Sequence, residues 1–304
     1  MKPAFRAGAV HVRVPATSAN LGPGFDALGL ALDLYDEVVA RISDDGLAID
    51  VAGEGMQLAR DETHLVIRAM RAAFDRLGAQ PRGIELSCAN RIPHGRGLGS
   101  SAAAIVGGVL LARALVVGGE DALPEKDVLA LASELEGHPD NVAPALLGGL
   151  TIAWQSSGTA VAIGLDCDAR VRPVVLVPPF EASTTQARGL LPDAVPHADA
   201  AFNAGRAALL IAALTGAPEC LLEATEDRLH QSYRAPAMAD SVALVGALRA
   251  AGRPAMISGA GPSVLVLARD QLEVEQAGAE RPDGWRALAL DVVSRGGHVV
   301  PPVR

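Results

Sequence analysis

The chain has 304 residues, half of them hydrophobic but only 3% aromatic, with 20% charged, so Ala, Val, Leu and Ile must fill its core. At roughly 100 to 200 residues per domain this length predicts two lobes with a cleft between them. The net charge of -9, without basic stripes or interleaved aromatics, argues against nucleic acid or an anionic membrane as the main partner and leaves small ligands.

The elements follow in chain order. "AVHVRV" (9–14) alternates as a strand does, and "GFDALGLALDLYDEVVARIS" (24–43) adds apolar runs, with Gly22, Gly24 and Gly29 as breaks. "HLVIRAMRAAFDRLGA" (64–79) has helical spacing, and "GIELSCANRI" (83–92) alternates into a glycine-rich loop. From Ser100, "SSAAAIVGGVLLARALVV" reads as a buried helix whose serines cap its first turn. "PEKDVLALASELEG" (124–137) is a helix with a proline start and a glycine stop, and "HPDNVAPALLGGLTIAW" (138–154) is a helical turn leading into a strand. The lobes are expected to meet near residues 155–170. Beyond them come a strand at "RPVVLVPP" (172–179), helices at "AFNAGRAALLIAAL" (201–214) and "MADSVALVGALRAAG" (238–252), and a strand, glycine turn and strand at "AMISGAGPSVLVLA" (255–268).

Cys88, Cys167 and Cys220 lie far apart without CxxC spacing, which predicts neither a disulfide frame nor a zinc site. The N-terminal stretch does not read as a signal peptide, and there is no apolar run of about 18 residues, so a reducing cytoplasm is expected.

The chemistry concentrates in "PHGRGLGSSAA". Glycines let backbone N–H groups approach an anion, and the helix that follows offers more such groups with a partial positive charge. Ser100 and Ser101 can donate to phosphate or ligate Mg²⁺, which needs a carboxylate from elsewhere in the chain. The loop lacks the lysine of a Walker loop and the context of a dinucleotide fingerprint.

This loop resembles the second motif of the GHMP kinases, the superfamily of galactokinase, homoserine kinase and mevalonate kinase. "PATSANLGPGFDALGLAL" (15–32) resembles the N-terminal motif in its homoserine kinase form, and "SGAGPSVLVL" (258–267) resembles the C-terminal glycine motif. With "EGHPDNVAPALLGG" (136–149) the resemblance spans nearly the whole chain in order. It implies an α+β fold, with a ribosomal protein S5 domain 2-like lobe containing a left-handed βαβ unit over residues 1–165 and a ferredoxin-like lobe over residues 166–304. It also implies an ATP- and Mg²⁺-dependent phosphorylation of the L-homoserine hydroxyl in threonine biosynthesis. Homodimers recur among such proteins, and the sequence leaves the oligomeric state open.

The resemblance assigns ATP binding to Pro93, His94, Gly95, Arg96, Gly97, Leu98, Gly99, Ser100, Ser101, Ala102 and Ala103, and the nucleoside to Thr63 and Leu65 in "DETHLVIRAM" (61–70). Asp61 or Thr63 alone would equally read as a helix cap. Homoserine is a zwitterion with a primary hydroxyl, so its pocket needs a cation for the carboxylate and acceptors for the ammonium. Arg188 and Arg234 match the family's carboxylate-binding arginines, with Thr184 in the segment of the first; Asn20 and Asp26 are carried over to the amino or hydroxyl end, and Gly259, Gly261 and His138 to the substrate site. Alone, Asn20 reads as turn chemistry and His138 as structural.

Glu134 is the expected Mg²⁺ carboxylate, with Glu136 as the competing choice because the alignment can slip by two residues. Asp140 and Asn141 are placed at the reacting groups, but phosphoryl transfer passes through a loose transition state and homoserine kinases resemble enzymes without a dedicated base. A mevalonate-pathway kinase and an inactive binding protein of the same fold are the rivals; the pairing of Asn20 and Asp26 with two arginines speaks against the first, and the intact loop serines against the second.

Overall fold

The computed structural model describes residues 4–301. Its first lobe opens on two long antiparallel strands, β1 (Val10–Leu21) and β2 (Gly24–Ser43), followed by β3 (Gly46–Gly53), α1 (Leu65–Arg76) and β4 (Gly83–Asn90). β3 and β4 pair in parallel with α1 as the crossover. Then come α2 (Ser100–Leu115), the short α3 (Gly119–Ala122), α4 (Glu125–Glu136), α5 (Val142–Leu147) and the hairpin of β5 (Leu150–Ser156) and β6 (Thr159–Leu165). The hairpin joins the sheet through β2.

The glycines of β2 do not break it into separate runs: it is one strand of 20 residues. Gly29 serves a different purpose, because a Cβ there would run into the carbonyl of Asp140 and the ring of Pro144. The residue is small so that the 140–144 segment can lie directly over the strand. α4 begins after Pro124 and stops at Gly137, which takes the left-handed conformation at φ +92°. α2 is apolar on nearly every face, as a helix packed against both α1 and β1 must be.

The second lobe holds β7 (Arg172–Val177), α6 (Thr184–Gly189), α7 (His197–Thr215), α8 (Leu221–Ala224), α9 (Ala239–Ala250), β8 (Ala255–Ile257), β9 (Val264–Ala268), α10 (Gln271–Ala279) and β10 (Arg286–Ala289). Its four strands lie antiparallel in the order β10-β7-β9-β8. In order within the lobe this is fourth, first, third, second, the ferredoxin-like arrangement. Period-two alternation divides β7 between two cores. Val174 and Leu176 pack with Leu248, Ile257 and Trp285, while Val175 and Val177 join the large cluster that continues through Leu210 and Leu214 into the first lobe.

The end of the chain returns to the first sheet. Leu32 bridges to Val292, and β11 (His298–Val299) pairs with β1, so part of the 166–304 segment sits in the first lobe. Among the described residues no helix is long and apolar enough to cross a membrane.

Candidate active site

The glycine loop is built by close approaches from two distant segments. A Cβ on Gly97 would collide with the carbonyl of Ser258, and one on Gly99 with the hydroxyl of Thr17. Ser258 Oγ donates to the Gly97 carbonyl at 2.7 Å and bonds Ser18 Oγ at 2.8 Å, and the Gly259 N–H donates to the Ala19 carbonyl at 2.9 Å. The N-terminal motif, the loop and the C-terminal glycine motif therefore form one knot. Gly95, Gly97 and Gly99 all sit at positive φ, where other residues are strained.

The loop runs straight into α2 through Gly99, which is left-handed, and no side chain caps the helix. The expected serine caps are absent for this reason: Ser101 Oγ instead donates to Glu136 Oε1 at 2.5 Å. The first-turn N–H groups are left for an anion.

Two cavities meet at this helix start, and both are lined by Ser100 and Ser101. The first, of about 440 Å³, is walled by Gly95, Gly97, Gly99, Asn20, Glu136, His138, Asn141, Arg188, Arg234, Gly259 and Gly261. The second, of about 380 Å³, is walled by Thr63, Leu65, His94 and Ala103 together with Val14, Val38, Val66 and His64. Several loop residues face elsewhere. Leu98 and Ala102 are core residues, and Pro93 is buried. Arg96 turns from the loop to donate to the carbonyls of His94, Pro178 and Pro179, with Glu181 Oε1 at 3.3 Å, so it ties the loop to the segment after β7 and contacts neither cavity.

The two glutamates separate clearly. Glu134 points away from both cavities and pairs with Arg76 at 2.8 Å on the exposed surface. Glu136, one helical half-turn on, faces the loop, and burial raises its carboxyl above the usual range even though Ser101 bonds it. Contrary to expectation, Glu134 does not reach the loop, because the period of α4 turns residue 134 to solvent, and Glu136 is the carboxylate that lines the cavity.

In the polar cavity Asn20 sits at φ +53° and accepts the Asp26 N–H at 2.8 Å. Asp26, itself at φ +51°, receives both arms of Arg188 at 2.7 and 3.2 Å. That bond raises the Arg188 pKa. Arg234 is 0% exposed, and its Nε and NH2 have no hydrogen-bond partner. Burial lowers its pKa, and so does the neighbouring charge of Arg188.

Asp140 is also 0% exposed and does not line the cavity. Its Oδ1 bonds His138 Nδ1 at 2.6 Å and accepts the Asn141 N–H at 3.0 Å. The Asp140 bond raises the His138 pKa. Asn141 is held from its other side, where its Oδ1 accepts from Thr17 Oγ1 at 2.9 Å. The expectation that Asp140 meets the reacting groups gives way to one in which it supports the two residues that do face the cavity.

Thr63 lines the second cavity while donating to Asp61 Oδ1 from both its N–H and its hydroxyl, an Asx turn ahead of α1 in place of a helix cap. Thr184 opens α6, and its side chain lies outside the described part of the structure; Thr185 and Ala182 line the polar cavity instead. Sequence reasoning had not singled out Thr17, Phe25, His64, Thr185 or His230. Each lies inside or beside a matched segment, Thr17 and Phe25 in the N-terminal motif, His64 in the 61–70 segment, and Thr185 and His230 within four residues of Arg188 and Arg234.

Residues 64–149 match the family described as GHMP kinases N terminal domain, and residues 207–286 match GHMP kinases C terminal. A homoserine kinase of Streptomyces avermitilis is 61% identical over 300 residues, covering 98% of both chains. One of Streptomyces coelicolor is 61% identical over 98% of this chain and 97% of its own. The chain belongs to the homoserine kinase family. Within that family, the crystal structure of homoserine kinase from Cytophaga hutchinsonii superposes with a TM-score of 0.81 at 28% identity, covering 98% of each chain.

Proposed function

We propose that this protein transfers the γ-phosphoryl group of ATP to the side-chain hydroxyl of L-homoserine, giving O-phospho-L-homoserine and ADP. The observation that carries it is the pair of unequal cavities sharing Ser100 and Ser101: one is suited to a nucleoside, and the other holds a fully buried guanidinium with two free donor nitrogens. A buried cation without partners is costly unless a carboxylate completes it.

The loop N–H groups and the start of α2 hold the phosphates. Arg234, assisted by Arg188, takes the substrate carboxylate. Asp26 keeps lone pairs for the ammonium, and because Asn20 Oδ1 is already engaged, its amide nitrogen is the group left to donate to the hydroxyl oxygen. His138 and Asn141 orient the hydroxyl for in-line attack. No dedicated base is required, because positioning and charge neutralisation dominate phosphoryl transfer.

The side chains fit Mg²⁺. Glu136 and Ser101 bring two hard oxygen donors to the start of the phosphate loop, and among the described residues no group of three or more His, Cys, Asp or Glu is placed to hold a metal. That sparse set suits an ion that keeps waters and takes phosphate oxygens. When bound, Mg²⁺ would neutralise charge on the phosphates. The free thiols of Cys88, Cys167 and Cys220 suit a reducing cytoplasm.

ADP release measured with L-homoserine, L-serine, L-threonine and mevalonate tests the assignment. Preference for L-homoserine is expected; turnover with mevalonate in its place, or with none of the four, overturns it.

A further inference from the structure

Arg234 is held on two sides. On one side its NH1 reaches the Gly259 carbonyl at 3.3 Å, and on the other it lies 3.3 Å from Nδ1 of His230. His230 is itself 0% exposed, and its Nε2 lies 2.7 Å from the carbonyl of Gly22, in the turn between β1 and β2. A carbonyl can only accept and a guanidinium can only donate. The proton of a neutral imidazole must therefore sit on Nε2, leaving Nδ1 as the acceptor for Arg234. Burial lowers the His230 pKa, in keeping with a neutral ring.

The ring is fixed in more than one direction. It stacks on Phe25 at 4.9 Å between centroids with the planes 22° apart, and the guanidinium carbon of Arg234 lies 5.3 Å from the same Phe25 centroid. Asp227 accepts the N–H groups of Leu229, His230 and Gln231, which locks the turn carrying the histidine. From the other direction, the Asn203 amide donates to the Pro23 carbonyl at 2.8 Å, holding the turn that receives the imidazole proton. Asn20 and Asp26 flank that turn.

We infer that His230 is a positioning residue for substrate recognition: its Nε2–H grips the β1–β2 turn while its Nδ1 aims Arg234 at the amino-acid carboxylate. His230 touches no substrate itself. Its two bonds set the distance between the arginine that meets the carboxylate and the turn that carries the residues for the other end. Neutral imidazole suits this place, since a second cation beside Arg234 would repel it. The role rests on the proposed function, in which Arg234 receives the carboxylate.

His230→Leu keeps an apolar body against Phe25 and removes both bonds, whereas His230→Asn restores an acceptor near Nδ1. Steady-state kinetics are measured for both variants with L-homoserine and with its carboxamide, in which no carboxylate is present. The expected result for His230→Leu is a rise of about tenfold to a hundredfold in KM for L-homoserine, the size of one hydrogen bond to a charged group. KM for ATP stays within about twofold, the carboxamide is handled as by the wild type, and His230→Asn recovers much of the loss. Equal losses for L-homoserine and the carboxamide, or a parallel rise in the KM for ATP, overturn the inference. If His230→Leu does not fold, His230→Phe, which keeps a ring against Phe25 and supplies neither bond, carries the same comparison, and an unchanged KM for L-homoserine in that variant overturns it. Failure of the wild type to use L-homoserine would instead strike the proposed function.

Discussion

Replacing Glu136 by Gln separates activity from stability in opposite directions. The change keeps an oxygen that can accept from Ser101 Oγ, now 2.5 Å from the carboxylate. A hydrogen bond to a charged group contributes roughly 1.5–3 kcal/mol and a neutral one roughly 0.5–1.5, so the weakened bond costs about 1 kcal/mol. Against this stands the burial that raises the Glu136 pKa. An acid whose folded pKa lies above its unfolded value loses stability as pH rises through that interval, so at neutral pH the charged carboxylate destabilises the fold, and the amide removes that penalty. The net change in urea unfolding at pH 7.5 is expected to be within about 1 kcal/mol of zero or stabilising. Activity moves the other way. Loss of the carboxylate proposed to hold Mg²⁺ should lower kcat by about 100-fold or more, about 2.7 kcal/mol of barrier, with a higher Mg²⁺ requirement. Glu134→Gln is the control: its partner is Arg76, the two side chains are 59% and 56% exposed, and such a pair contributes roughly 0–1 kcal/mol. Full activity in Glu136→Gln, or a 100-fold loss in Glu134→Gln, would refute this assignment of the two glutamates.

Asp140→Asn should keep kcat within about tenfold, because its Oδ1 acceptor survives and the side chain does not line the cavity; a larger loss in single-turnover kinetics would refute the absence of a dedicated base. The same variant tests the pH response of the fold. The Asp140 bond raises the His138 pKa, so its stabilisation is fully present below about pH 6.5 and is lost as pH rises through the higher folded value; Tm measured against pH should lose that slope in Asp140→Asn. Gly99→Ala forces a Cβ into left-handed backbone at φ +69° and against the Thr17 hydroxyl that bonds Asn141. Roughly 1–2 kcal/mol of backbone strain plus roughly 0.5–1.5 for the hydrogen bond predicts about 1.5–3.5 kcal/mol of destabilisation in urea unfolding, with weakened ATP binding.

Local chemistry was legible wherever a residue type had one backbone or one ligand to serve. Proline and glycine marked both ends of α4, and the unbroken apolar runs of β7 and β9 read as strands, which the fold buries on both faces. Motif order along the chain was enough to name the family. Side-chain direction was not legible. Gly29 looked like a break in an apolar run and proved to be room for the 140–144 segment. Arg96 looked like a phosphate ligand and proved to bind carbonyls after β7.

Read alone, the sequence carried most of the longer strands and helices, because propensity and turn chemistry act over neighbouring residues, and its motifs in order carried the resemblance to the kinase family; β3, α10 and β10 were not legible in it. Which of two glutamates on one helix meets Ser101, why Asp140 is shielded behind His138, and how His230 joins a turn 208 residues away to Arg234 were decided only by tertiary structure. The reason is physical: α4 presents residues 134 and 136 on different faces, and only packing selects which face meets the loop.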